Sequence, residues 1–357
     1  MTRTMSTTMD SASARGSGLF YPPGRRARLL ASSVLTGGTL RSLAAAAGMM
    51  TALGVSPAFA QCYSTATGLA GNCTAVPPGG PSTTAIGLGA AAIGFGATAY
   101  GRAANATGDA ATAIGAGSVA NGGFIGEATA VGAASNATGS FATAIGAIST
   151  AFGEDATATG HNSNATGINA TATGESSFAT GLNATATGQG ANAIGANATA
   201  TGQNANATGD SATATGVNSV ANGLDATATG TSSNATGQLA TATGVSSLAN
   251  GAEATATGSN SIANGALATA TGHGSNANGS SATATGWFST ANGTNATATG
   301  SSANATGFQA TATGQGSIAD GATASAYGQG SNATGAATTA IGQASVASAT
   351  GATAVGA

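Results

Sequence analysis

The chain has 357 residues, 59 of them glycine, and only 5% are charged, where an ordinary soluble domain carries about a quarter. It therefore lacks the stock of acids, bases and anion-clamping groups that enzymes draw on, which weighs against catalysis and against a cofactor. Charge is also split along the chain: six of the seven basic residues, all arginine, precede residue 42 beside the single acid Asp10, a net +5, whereas from residue 61 nine acids stand against Arg102 alone, a net −8. An acidic body without a basic patch argues against nucleic acid and anionic lipid as partners.

The first 60 residues read as a secretory signal peptide with an extended basic region. Arginines run to Arg41, an apolar stretch spans Leu43 to Val55, Pro57 breaks it, and Ala58-Phe59-Ala60 supplies the small-residue cleavage pattern. The apolar run is too short for a membrane span, which needs about 20 residues, so the mature chain is expected to be exported without one. Residues 61–82 form a lead-in or cap with Pro77, Pro78 and Pro81. Cys62 and Cys73, the only two cysteines, fit one small disulfide loop in an oxidising compartment. Two thiols without a nearby histidine make a poor metal site.

Residues 83–357 are one repeat. Glycine recurs at every seventh position from Gly132 to Gly342, and the same step runs from Gly87 to Gly122, a three-residue insertion near 123–125 separating the registers. The units alternate: Ala-Thr-Ala-Thr-Gly, as in Ala156 to Gly160 and Ala310 to Gly314, and Ser-x-Ala-x-Gly, as in Ser163 to Gly167 and Ser219 to Gly223. The structural period is thus fourteen, with two strands and two turns per coil. A heptad invites a coiled-coil reading, but small residues alternate here with Thr, Asn, Val or Ile at period two, which belongs to strands. A glycine in every second helical turn would also cost about 1 kcal/mol each. Glycine-rich disorder is disfavoured because all six prolines precede residue 82, and strand ladders are what cannot spare the amide that proline removes. The expected fold is all-β, a parallel β-solenoid of about twenty coils spaced ~4.8 Å apart.

The nearly constant alanine column is expected to face inward. The alternate column, which holds Asn164, Phe178, Leu248, Asn276, Asp320 and Tyr327, is expected to face out. Alanine gains little by burial, about 0.8 kcal/mol per CH₂ equivalent, and glycine costs backbone entropy on folding. So thin a core predicts an oligomer.

The alternating units resemble the YadA-like head of trimeric autotransporter adhesins, most closely at Ser118 to Gly122, Ala128 to Gly132 and Ala142 to Gly146. The resemblance covers about residues 83 to 356. It implies a left-handed parallel β-roll, a homotrimer, display at the cell surface or outer membrane of a Gram-negative bacterium, and binding to extracellular matrix or cell-surface ligands. No heptad stalk, neck or membrane-barrel strands follow Gly356, which is read as a truncated or split reading frame or a released head.

No nucleophile, base and orienter set stands out, no phosphate loop and no metal spacing. His161 and His273 share a phase but lie eight coils apart. Asp109, Glu127, Glu154, Asp155, Glu175, Asp210, Asp225 and Glu253 fall in or beside turns, as solvated acids do. Recurrent Asn-Ala-Thr, at Asn105, Asn136, Asn183 and Asn332, matches the glycosylation sequon but follows simply from the repeat. Exposed aromatics are the candidate partner contacts: Trp287 and Phe288 beside one turn, Phe308 beside another, and Tyr327 where most repeats carry Thr or Asn. Two alternative functions remain. Threonines in twelve successive coils, from Thr157 and Thr159 to Thr311 and Thr313, form two files like those of ice-binding solenoids, and a purely structural surface rod needs no ligand at all.

Overall fold

The computed structural model describes residues 83–123 and 126–356, together with the backbone of three short strands ahead of them, Ser64–Thr65, Gly68–Leu69 and Thr74–Ala75. The expected signal peptide and the Cys62–Cys73 pair lie outside the described residues.

Alternating small residues and threonine fold as the period-two pattern demands. Long strands of three residues, from Thr84–Ile86 to Thr353–Val355, alternate with short strands of two, from Ala91–Ala92 to Val346–Ala347. They wind into a parallel β-solenoid of about nineteen turns, with no helix among the described residues. All long strands share one sheet and all short strands the other. Each strand pairs in parallel with its equivalent fourteen residues on: Thr157, Ala158 and Thr159 face Thr171, Ala172 and Thr173, and Asn164 and Ala165 face Phe178 and Ala179. The ladder begins early, because Thr74–Ala75 already pairs with Ala91–Ala92.

At the insertion the offset becomes seventeen residues, with Thr112 facing Thr129 and Val119 facing Asn136. The extra residues are absorbed in a turn, so neither sheet slips. A one-residue slip would send every inward alanine to the solvent side.

Each coil sends four small side chains inward. In one coil these are Ala156 and Ala158 from the long-strand half, and Ser163 and Ala165 from the short-strand half, all fully buried. Among the described residues no fully buried side chain exceeds threonine in size, the largest being Thr338. The buried serines are not orphaned. Ser163 Oγ donates to the carbonyl of Gly160 at 3.0 Å, and Ser118 to Gly115 at 2.9 Å, which offsets the 1–3 kcal/mol that an unpaired buried hydroxyl would cost.

Two turns close each coil, a first after the long strand (Gly160-His161-Asn162) and a second after the short strand (Gly167-Ile168-Asn169). The last residue of each takes a left-handed conformation, φ 56° at both Asn162 and Asn169. This geometry recurs in nearly every coil, and its amide is put to use: Asn162 N–H donates to Ala147 O at 2.9 Å and Asn169 N–H to Glu154 O at 2.8 Å, one coil back. The ladder therefore continues through the turns. That pairing is what lets alanine, serine and even Ile148, Leu239 and Phe288 occupy a region that L-residues usually avoid.

The seven-residue glycine register has a second cause besides turn geometry. A β-carbon on Gly160 would lie 2.5 Å from the carbonyl oxygen of Gly174, and one on Gly167 would run into the carbonyl of Gly181. Coils stack too closely at these columns for any side chain.

Candidate interaction surface

With the core filled by alanine and serine, the described side chains that can meet a partner lie on two sheet faces and two turn edges.

On the long-strand face both threonine files point outward, the first half-buried and the second mostly exposed. The second file is threonine from Thr159 to Thr313, but it is apolar at its ends: Ile86, Tyr100, Ile114, Val131 and Ile145 at one, Tyr327, Ile341 and Val355 at the other. Tyr100 is 56% exposed and Ile145 42%.

The short-strand face carries amides in register. Thr236, Asn250, Asn264, Asn278 and Asn292 form a continuous file of side-chain hydrogen bonds between 2.8 and 2.9 Å. Beside it runs a file that mixes Asn with apolar residues, as in Val220, Asn234, Leu248 and Ile262.

The acids segregate. Asp109, Glu127, Glu154, Asp155, Asp210, Asp225 and Glu253 all lie in the second turns, and Glu175 in a first turn. Two of them brace the stacked turns, since Asp109 Oδ1 accepts the Phe95 amide and Asp210 Oδ1 the Ala196 amide, each at 2.9 Å. Asp320, on the short-strand face, accepts the Thr306 hydroxyl at 2.6 Å. Leucines share that second-turn edge, with Leu224, Leu239 and Leu267 all exposed. His161 and His273 occupy first turns, both exposed.

The four aromatic candidates are not brought together. Trp287 and Phe288 share a first turn, Phe308 sits on the opposite edge in a second turn, and Tyr327 stands on the long-strand face. All four remain substantially exposed. Trp287 and Phe288 do touch, with ring centroids 4.7 Å apart in an edge-to-face arrangement, and His273 joins them, 5.3 Å from Phe288. The third ring was missed in reading the sequence, although His273 precedes Trp287 by fourteen residues and so must lie one coil beneath it.

The repeat family "YadA head domain repeat (2 copies)" matches residues 92–123, 127–147, 149–163, 165–191, 193–233, 235–317 and 333–357. The chain belongs to the YadA head family. Its match breaks between 123 and 127, where the extra residues lift the register. Among solved structures, the YadA-type head described here is similar to the collagen-binding domain of the Yersinia adhesin YadA, with 26% identity over 38% of this chain and 68% of that one, at a TM-score of 0.29. No curated protein sequence matches it.

The fold and family are thus those of adhesins. Among the described residues of this YadA-type head, no group of three or more His, Cys, Asp and Glu could hold a metal ion. No helix among them is long and apolar enough to cross a membrane.

Proposed function

We propose that this chain is the head of a bacterial surface adhesin, exported and displayed as a homotrimer, which attaches to extracellular matrix or cell-surface ligands without catalysis. The observation that carries the reading is the family match over most of a stack whose outward side chains repeat in register on every side. Such a surface offers one weak contact many times over, and repeated contacts convert modest affinity into firm attachment.

The trimer is supported by the long-strand face. Isoleucine, valine and tyrosine at both ends of its second file leave apolar area in water that a single coil's alanine core has no room to bury. Association of copies through this face covers it, with the threonine stretch packed between two apolar clamps.

The purified head tests both parts. Sedimentation equilibrium is expected to give a trimer, and a stable monomer would count against the assembly. Beads coated with the head are expected to attach saturably to surfaces of fibrillar collagen, fibronectin or laminin, or to cultured cells. No attachment to any of them would refute adhesion, and thermal hysteresis or shaping of ice crystals would reassign the threonine face to ice.

A further inference from the structure

Between Glu253 and Asp320 the chain has no Asp, Glu, Lys or Arg. In that uncharged stretch three rings meet on the first-turn edge. Trp287 packs edge to face on Phe288 at 65°, and Phe288 on His273 at 78°. Trp287 is 56% exposed and Phe288 49%. These rings therefore add little to the core, yet they are held firmly.

Several features fix them. Phe288 adopts φ 51°, a region that suits a bulky side chain poorly. Its ring lies across Gly274 one coil below, where an added β-carbon would be 2.5 Å from a ring atom. Gly274 thus leaves the room the ring fills. The Phe288 amide donates to His273 O at 2.9 Å, and the Ser302 amide to Trp287 O at 2.7 Å, so the ladder anchors the turn from both sides. Rings held this way form a face that loses little freedom when something lands on it.

We infer that Trp287, Phe288 and His273 form a binding platform for a neutral pyranose sugar. A pyranose has a flat face of C–H bonds, which the electron-rich face of an aromatic ring attracts, and a rim of hydroxyls that needs polar neighbours. The coil register supplies them: Ser259, His273, Trp287 and Ser301 follow one another at fourteen-residue steps, so a serine stands on either side of the aromatic pair. A cation would also be drawn to the rings, but this stretch offers it no carboxylate. The inference rests on the adhesive reading for its setting and deepens it by naming a ligand class for one patch.

Trp287 is the only tryptophan in the chain, so its emission reports on the platform alone. The full chain is titrated with glucose, galactose, N-acetylglucosamine and their β-linked disaccharides. At least one is expected to shift the emission saturably. Phe288→Ser, which places at this turn the residue found at Ser302, is expected to raise the Kd at least about tenfold, as loss of a central aromatic contact does. Phe152→Asn, on the short-strand face at the place Asn250 holds in its own coil, is expected to leave the Kd unchanged, with circular dichroism confirming that both variants fold. The assignment is overturned if no sugar shifts the emission, if choline or arginine amide does so instead, or if Phe288→Ser binds as well as the parent. Bead attachment separates the two readings: parent beads that attach while no sugar shifts the emission would sink the platform and leave adhesion standing. Beads that never attach would sink adhesion, and the emission titration would still decide the platform.

Discussion

The carbonyl oxygen of Gly181 fills the space that a β-carbon on Gly167 would need. Gly167 is buried and its φ is not in the left-handed region, so glycine is required there by stacking and not by turn conformation. Gly167→Ala is expected to destabilise the roll by about 1–3 kcal/mol, the range for overpacking a filled interior. Urea unfolding followed by circular dichroism measures this. An unchanged midpoint would mean that the coils can part at no penalty.

The glycine columns were legible as a fourteen-residue period, but their cause was not. Sequence spacing marks where chain direction changes, and both turns indeed fall there. It carries no information on the distance between coils, which is what excludes a side chain from Gly160 and Gly167. Alanine inward and threonine outward could be read from constancy against variability, since Ala158 stays alanine in every coil while its neighbours change. The left-handed turn residues were hidden because so many types fill the place: Asn162, Ser176, Leu239 and Phe288 share a φ near 55° for the sake of one backbone hydrogen bond. The aromatic platform lay half in view, since two of its rings are adjacent in sequence and the third is one period away.

Buried serine offers a graded test. Ser233 Oγ donates to Gly230 O at 2.9 Å, and the Ser233 amide reaches the same oxygen at 3.2 Å. Ser233→Ala leaves that carbonyl still paired, and alanine already holds the equivalent place at Ala191 and Ala205. The expected loss is about 1 kcal/mol or less. Ser233→Val pushes extra carbon into a core built for nothing larger than threonine, with an expected loss of about 1–3 kcal/mol. Equal midpoints for the two variants would contradict so tight an interior.

Asn234 stands between Val220 and Leu248 in the outward file of the short-strand sheet, and its buried Oδ1 has no hydrogen-bond partner among the described residues. Asn234→Val removes that oxygen and installs a strand former already used one coil away. It is expected to stabilise the roll by about 1 kcal/mol. A higher denaturation midpoint in the variant checks this, and a lower one would show that the amide has a role in the free chain.

Ile148 is β-branched and sits at φ 60°, while its side chain is 53% exposed. The backbone strain therefore has no compensation from packing. Ile148→Asn, the residue of the next coil's turn at Asn162, is expected to gain up to about 1 kcal/mol, because asparagine tolerates the left-handed region that a β-branched side chain disfavours. Thermal melting of the pair settles the sign.

The strongest test of the architecture is a deletion. Removing fourteen residues, 227–240, joins Ala226 to Thr241, so a long strand again follows the second turn and Thr213 meets Thr241 where it met Thr227. Each coil contacts only its neighbours, so stability is close to a sum of coil and interface contributions, and the shortened roll is expected to fold and melt nearly as the parent does. Removing seven residues, 227–233, joins Ala226 to Asn234 instead. A short strand and its second turn then fall beneath a long strand and its first turn, and every coil beyond the junction is out of phase with those before it. The ladder cannot pass such a point without rotating half the rod, so the seven-residue deletion is expected to lose the cooperative transition, or to split it in two. Circular dichroism melts of the two deletions, compared with the parent, decide the matter. Equal behaviour of the two would refute a period of fourteen in favour of seven.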